Sequence, residues 1–73
     1  MKVYTESGSI YHFIFSHGAL RTFYGTKEII VTDIENLEEG CRMTVRGYPL
    51  NIYCQKSSTK MFFTTSPIQK IED

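Results

Sequence analysis

The sequence predicts an all-β domain, a small antiparallel barrel or two-layer sandwich of about five to six short strands. Three observations predict it. Apolar and polar residues alternate with a period of two along most of the chain, and Gly, Pro and Ser turn signals separate the alternating stretches. A single stretch, 33–39, carries helix-boundary chemistry.

Lys2 to Glu6 is β-prone and stops at Ser7-Gly8-Ser9, after which Ile10 to Ser16, rich in Tyr, Phe and Ile, returns to complete a hairpin. His17-Gly18 breaks the chain, Leu20 to Tyr24 reads as a third strand, and Gly25 breaks it again before Glu28 to Thr32 with its run Ile29-Ile30-Val31. Asp33 can cap a helix and Gly40 can take the left-handed position after its last turn. At most one short helical turn is expected near 33–39, because the Glu residues at its C-terminal end oppose the helix dipole; a plain turn is the alternative.

Cys41 to Arg46 is the cleanest strand, with Cys41, Met43 and Val45 inward and Arg42, Thr44 and Arg46 outward. Gly47-Tyr48-Pro49 is expected to turn the chain into a strand over Leu50 to Gln55, with Leu50, Ile52 and Cys54 inward and Asn51, Tyr53 and Gln55 outward. Lys56 to Thr59 is a polar turn. The last strand, Lys60 to Thr65, has Met61 and Phe63 on one face and Lys60, Phe62 and Thr64 on the other, and Pro67 either ends regular pairing or places the tail on a sheet edge. The order fits a meander, and closure would remove its exposed edges.

The 73 residues make one domain. A chain of this size buries only about 60% of the surface it exposes when unfolded, so a second subunit would add stability. Two cysteines, no CxxC and no apolar leader at Met1 point to a reduced, cytoplasmic protein. The longest apolar runs are three residues, against the roughly 20 that a membrane helix needs, so no membrane is expected.

Charge is sorted along the chain. Glu28, Asp33, Glu35, Glu38 and Glu39 fall in 28–39 without a Lys or Arg, and Arg42, Arg46, Lys56, Lys60 and Lys70 fall in 40–71 without an acid. The net charge of zero thus predicts two opposed patches, which steer a small protein toward a partner or another copy of itself.

The outward residues of the last three strands gather cations and amides around two rings, and Arg42, Arg46, Tyr53, Lys60 and Phe62 are the candidate binding residues. Arg and aromatic residues favour a protein interface. They also suit phosphates and unstacked bases, so a nucleotide or single-stranded nucleic acid is the alternative ligand. A third reading is a solvated face whose rings pair across strands. Dedicated nucleic-acid binders tend to have a pI above about 9. This chain's is near 6.7.

Catalysis is not expected. His12 falls on the face of Ile10 and Ile14, His17 falls in a turn, and nothing orients a third group behind the one Cys/His pair to consider, Cys54 with His12. No two His or Cys stand at zinc-site spacing, and the glycines are scattered singly at turns, so no metal or cofactor is expected.

Ile10 to Phe15 is apolar on both faces, and such a strand is covered on both sides. The second cover is either another subunit, making the protein a homo-oligomer, or the tail Ser66 to Asp73 folded back with Ile68 and Ile71.

Finally, the opening Thr5-Glu6-Ser7-Gly8-Ser9-Ile10-Tyr11, Arg21, and the closing Thr65-Ser66-Pro67-Ile68 with Ile71 resemble a pattern in small, mostly uncharacterised all-β proteins encoded by bacteriophages and mobile elements. The resemblance covers the two ends of the chain. It implies a compact phage accessory protein, a class that includes inhibitors of bacterial defence systems acting by binding, and it carries over no functional residue.

Overall fold

A computed structural model describes residues 1–50 and 60–73, which form seven strands and no helix. The strands are β1 (Lys2–Thr5), β2 (Ile10–His12), β3 (Ile14–Ser16), β4 (Ala19–Tyr24), β5 (Lys27–Glu35), β6 (Arg42–Pro49) and β7 (Met61–Glu72). They make one antiparallel sheet in the order β2-β1-β7-β6-β5-β4-β3. From β3 to β7 the chain is the expected meander. The long β7 pairs with β6 over its first half and with β1 over its second, which brings the two ends of the chain together. The sheet curls around one core but is not closed among the described residues.

Five sequence expectations are corrected here. First, Ile10 to Ser16 is two strands rather than one, because the chain bends at Phe13. The Phe13 ring is buried, its N–H donates to the Met1 carbonyl at 2.8 Å, and its own carbonyl accepts from the Met1 ammonium at 3.1 Å. Second, the strand expected to end at Thr32 runs on through Asp33 to Glu35; of the at most one helical turn expected near 33–39 none forms, and the plain turn given as its alternative follows, with Cys41 donating to the Glu38 carbonyl at 3.1 Å. Asp33, Ile34 and Glu35 pair with Arg46, Val45 and Thr44, and this ladder outweighs a single helical turn with an unfavourable dipole. Asn36 then ends the strand in the left-handed region at φ 58°.

Third, Gly47-Tyr48-Pro49 continues β6 instead of turning. Pro49 is tolerated because it closes the strand opposite Ile29, and the next residue restores the ladder, Leu50 donating to the Glu28 carbonyl at 2.8 Å. The expected strand at 50–55 is described only at Leu50, and Asn51 to Gln55 lie outside the described residues. Fourth, β7 passes through Pro67 to Glu72. Register shifts opposite Arg42/Thr44 on one side and at Tyr4/Thr5 on the other flank this proline. Within the first, the Met43 N–H donates to Thr65 Oγ1 at 3.1 Å, a side chain supplying the ladder acceptor. Fifth, the tail does not cover the outer face of Ile10 and Ile14. Ile68 is itself in the core, and Ile71 packs against it.

The core gathers Val3, Val31, Met43, Val45, Phe63 and Ile68 from inward positions of four strands (β1, β5, β6 and β7), together with Phe13 at the bend. Phe63 is stacked between two tyrosines, with ring centroids 5.4 Å from Tyr11 and 4.3 Å from Tyr24.

Candidate functional site

The outward residues of β6 and β7 lie side by side as alternation requires. Arg46 is the cross-strand partner of Phe62, and Thr44 is the partner of Thr64, to which its hydroxyl is hydrogen-bonded at 3.0 Å. Phe62 is 68% exposed, whereas its neighbour Phe63 is buried, so one register step separates a core ring from a surface ring. Arg46, Lys60 and Phe62 line one shallow cavity of about 280 Å³ with Thr32, Gly47 and Met61. Arg42 stands further along β6, exposed and opposite Pro67. Tyr53 lies outside the described residues. The structure therefore brings together three of the five candidates and places a fourth on the same two strands.

The expectation of two opposed charge patches is corrected in part, because β5 carries acids and β6 carries cations and the two strands pair. Arg46 Nη1 reaches Glu35 Oε1 at 2.7 Å and Asp33 Oδ2 at 3.6 Å. Glu28 is likewise held by Arg21 at 3.5 Å. Exposed pairs such as those of Arg46 stabilise by only about 0–1 kcal/mol, but all of these pairs cancel charge locally. Arg42 and Lys60 are left as the cations of the face with no ion pair among the described residues. On the far side of the sheet, the side-chain hydrogen bond to Glu72 raises the pKa of Lys70, and the same bond lowers that of Glu72. The sign for Glu72 is that its contribution to stability is present above the ordinary carboxylate range and is lost as pH falls through its lowered value.

His17 occupies a turn at φ 52° and shares a 2.7 Å hydrogen bond between its Nδ1 and Ser16 Oγ. His12 lies on the outer face with Ile10 and Ile14, as expected from alternation, and Cys54 lies outside the described residues. Among the described residues no three His, Cys, Asp or Glu side chains converge on a metal site. No helix of the described residues is long and apolar enough to cross a membrane.

Sequence reasoning missed a second concave region, between β2 and β4. It holds a cavity of about 460 Å³ lined by Ile10, His12, Ile14, Thr22 and Phe23, with the Arg21–Glu28 pair at its wall. The doubly apolar strand was its visible signal. Phe23 and the bend at Phe13 had none. Thr22 Oγ1 is buried there with no hydrogen-bond partner among the described residues. Thr22→Val removes that hydroxyl at nearly constant shape, and the expected outcome is unchanged stability or a gain of about 1 kcal/mol in urea denaturation. A loss of that size would show that the hydroxyl has a partner after all.

No family model, curated protein or solved structure matches the chain.

Proposed function

We propose that this protein is a non-enzymatic binding module that acts by occupying a protein surface with the outward face of β6 and β7, through Arg42, Arg46, Lys60 and Phe62, together with Tyr53 from the adjoining sequence. One observation carries the reading: an aromatic ring 68% exposed sits opposite an arginine whose guanidinium is already paired with Glu35 and Asp33. A ring beside a pre-positioned guanidinium is the anchor chemistry of protein interfaces. For phosphate capture the same pairing counts against the site, since the acids at 2.7 and 3.6 Å from Arg46 compete with an anionic ligand. The narrower reading, a phage-encoded inhibitor of a bacterial defence system working in the cytoplasm, rests on the resemblance of the two chain ends. Self-association belongs to the same proposal, supported by the apolar face that the tail leaves bare.

The test compares Phe62→Ala with the double variant Arg42→Ala/Arg46→Ala, measured by calorimetry against the captured protein partner and against an oligothymidylate over a range of salt. For a protein interface, Phe62→Ala should weaken partner binding by about 2 kcal/mol, roughly 30-fold, with little salt dependence. The nucleic-acid alternative requires instead oligothymidylate binding that falls steeply with salt and vanishes in the double arginine variant. Partner binding unchanged by Phe62→Ala would sink the proposed face.

A further inference from the structure

The registers of β3 to β6 set two rows of side chains on the outer face of the sheet. Ile14 is the partner of Arg21, Arg21 of Ile30 and Ile30 of Tyr48, so these side chains stand side by side in the first row. Two residues along, Phe23 is the partner of Glu28, whose carbonyl accepts from the Leu50 N–H at 2.8 Å, and these make the second. Ile10 and His12 join the same face from β2, because Tyr11 between them turns inward to stack on Phe63.

An antiparallel sheet ordinarily packs one face on the core and leaves the other polar. Here β5 and β6 already bury Val31 and Val45 in the core, yet the opposite face presents Ile10, Ile14, Phe23 and Leu50, which are 52%, 59%, 57% and 42% exposed. The charges in the two rows are Arg21 and Glu28, paired with each other at 3.5 Å and only 22% and 30% exposed. The face is thus apolar and electrically neutral. It is also uneven, with the hollow of about 460 Å³ at its β2 side and Tyr48 and Leu50 at its β6 side.

We infer that a second copy of the chain covers this face, packed sheet to sheet about a two-fold axis that runs along the strands between β4 and β5; this rests on the self-association proposed above and names its surface. An axis so placed lays β6 of each copy over β2 and β3 of the other, so Leu50 and Tyr48 meet the other copy's hollow, twice over. Charge fits the same operation. The axis separates Arg21 on β4 from Glu28 on β5, so it brings the cation of each copy to the side of the other's anion, and the face is its own electrostatic complement. Burying the pair costs little further desolvation, because both side chains are already mostly shielded. The area is sufficient. Ile10, Ile14, Phe23 and Leu50 present on the order of 400 Å² per copy, and with Ile30, Tyr48 and His12 beside them two copies bury about 1,200 Å², the lower end for a specific interface. A small molecule fits less well, since walls more than half exposed do not enclose it.

The test is sedimentation velocity and native mass spectrometry on the whole protein over about 1–500 μM, with each variant first checked as folded by circular dichroism. The expected result is a species at twice the 8.5 kDa chain mass, with a dissociation constant on the order of 10 μM. Phe23→Lys and Ile14→Lys, both at exposed positions, should raise that constant by about tenfold or more. Phe15→Lys should leave it unchanged, because Phe15 is 73% exposed but on the opposite face of β3. Arg21→Glu alone and Glu28→Arg alone should each be monomeric, and mixing the two should restore a one-to-one dimer in which each copy supplies the sign that the other lacks. A dimer that survives both Phe23→Lys and Ile14→Lys, or the absence of a mixed dimer, overturns this face while self-association stands. A monomer at every concentration overturns both. So does a monomer that carries an added small mass, or whose captured protein partner is lost with Phe23→Lys, and the face then belongs to that occupant.

Discussion

Gly47→Ala is expected to destabilise the protein by about 3 kcal/mol, measured as a fall in the urea midpoint at constant slope. Gly47 lies inside β6, where glycine is ordinarily a weak choice, and its φ is not in the left-handed region. Its requirement is space. A Cβ at this position lands on the Ile30 carbonyl oxygen, 2.9 Å from the Ile30 carbonyl carbon and 3.0 Å from Ile29 Cγ2. The obstacle is the backbone of the neighbouring strand, which cannot rotate aside like a side chain. The register between β5 and β6 shifts just beyond, between Val31 and Asp33, so the close approach belongs to a bulge that bends these two strands around the core. Relief would require pulling β5 from β6 along the whole ladder. A chain of this length has a total stability of roughly 4–11 kcal/mol, and a loss of this size leaves a marginal fold. A loss below about 0.5 kcal/mol would show that the strands are not this close.

The same residue shows where sequence reading succeeds and where it stops. Alternation placed Met43 and Val45 inside and Arg42 and Arg46 outside, because a strand's side chains must point to opposite faces whatever its neighbours do. It also placed His12 with Ile10 and Ile14. Strand ends were less legible. Gly47-Tyr48-Pro49 and Pro67 carry turn chemistry locally, yet both are drawn into strands by cross-strand partners far away in sequence, which a local reading does not contain. The candidate face was legible as a set of outward residues, but its electrostatics were not: that Arg46 meets Glu35 depends on which strand is adjacent. The concave region between β2 and β4 was the least legible feature. It arises because the chain bends at Phe13 and sends β2 to one edge of the sheet and β3 to the other, and nothing in an alternating apolar run marks the residue where such a bend falls.

Met43→Ala is expected to cost about 3 kcal/mol, within the range for emptying a fully buried long apolar side chain. Met43 is 0% exposed and belongs to the cluster that joins Val3 and Ile68 at one end of the curl to Val31 and Phe63 at the other. The site has little room to collapse. Its own N–H is tied to Thr65 Oγ1 on β7 at 3.1 Å by a buried hydrogen bond, while the Thr65 hydroxyl donates to the Ser66 carbonyl at 2.7 Å in a partly buried one, so the backbone of β6 and β7 beside the new cavity is held in place. A wall that cannot move inward leaves the void unfilled, and the cost then includes the cavity as well as the lost transfer energy. Met43→Leu separates these contributions. It keeps nearly the same volume and should cost less than about 1.5 kcal/mol. If Met43→Ala and Met43→Leu were equally mild in urea denaturation, the residue would be at the rim of the core, and β6 would not be the strand around which the sheet curls.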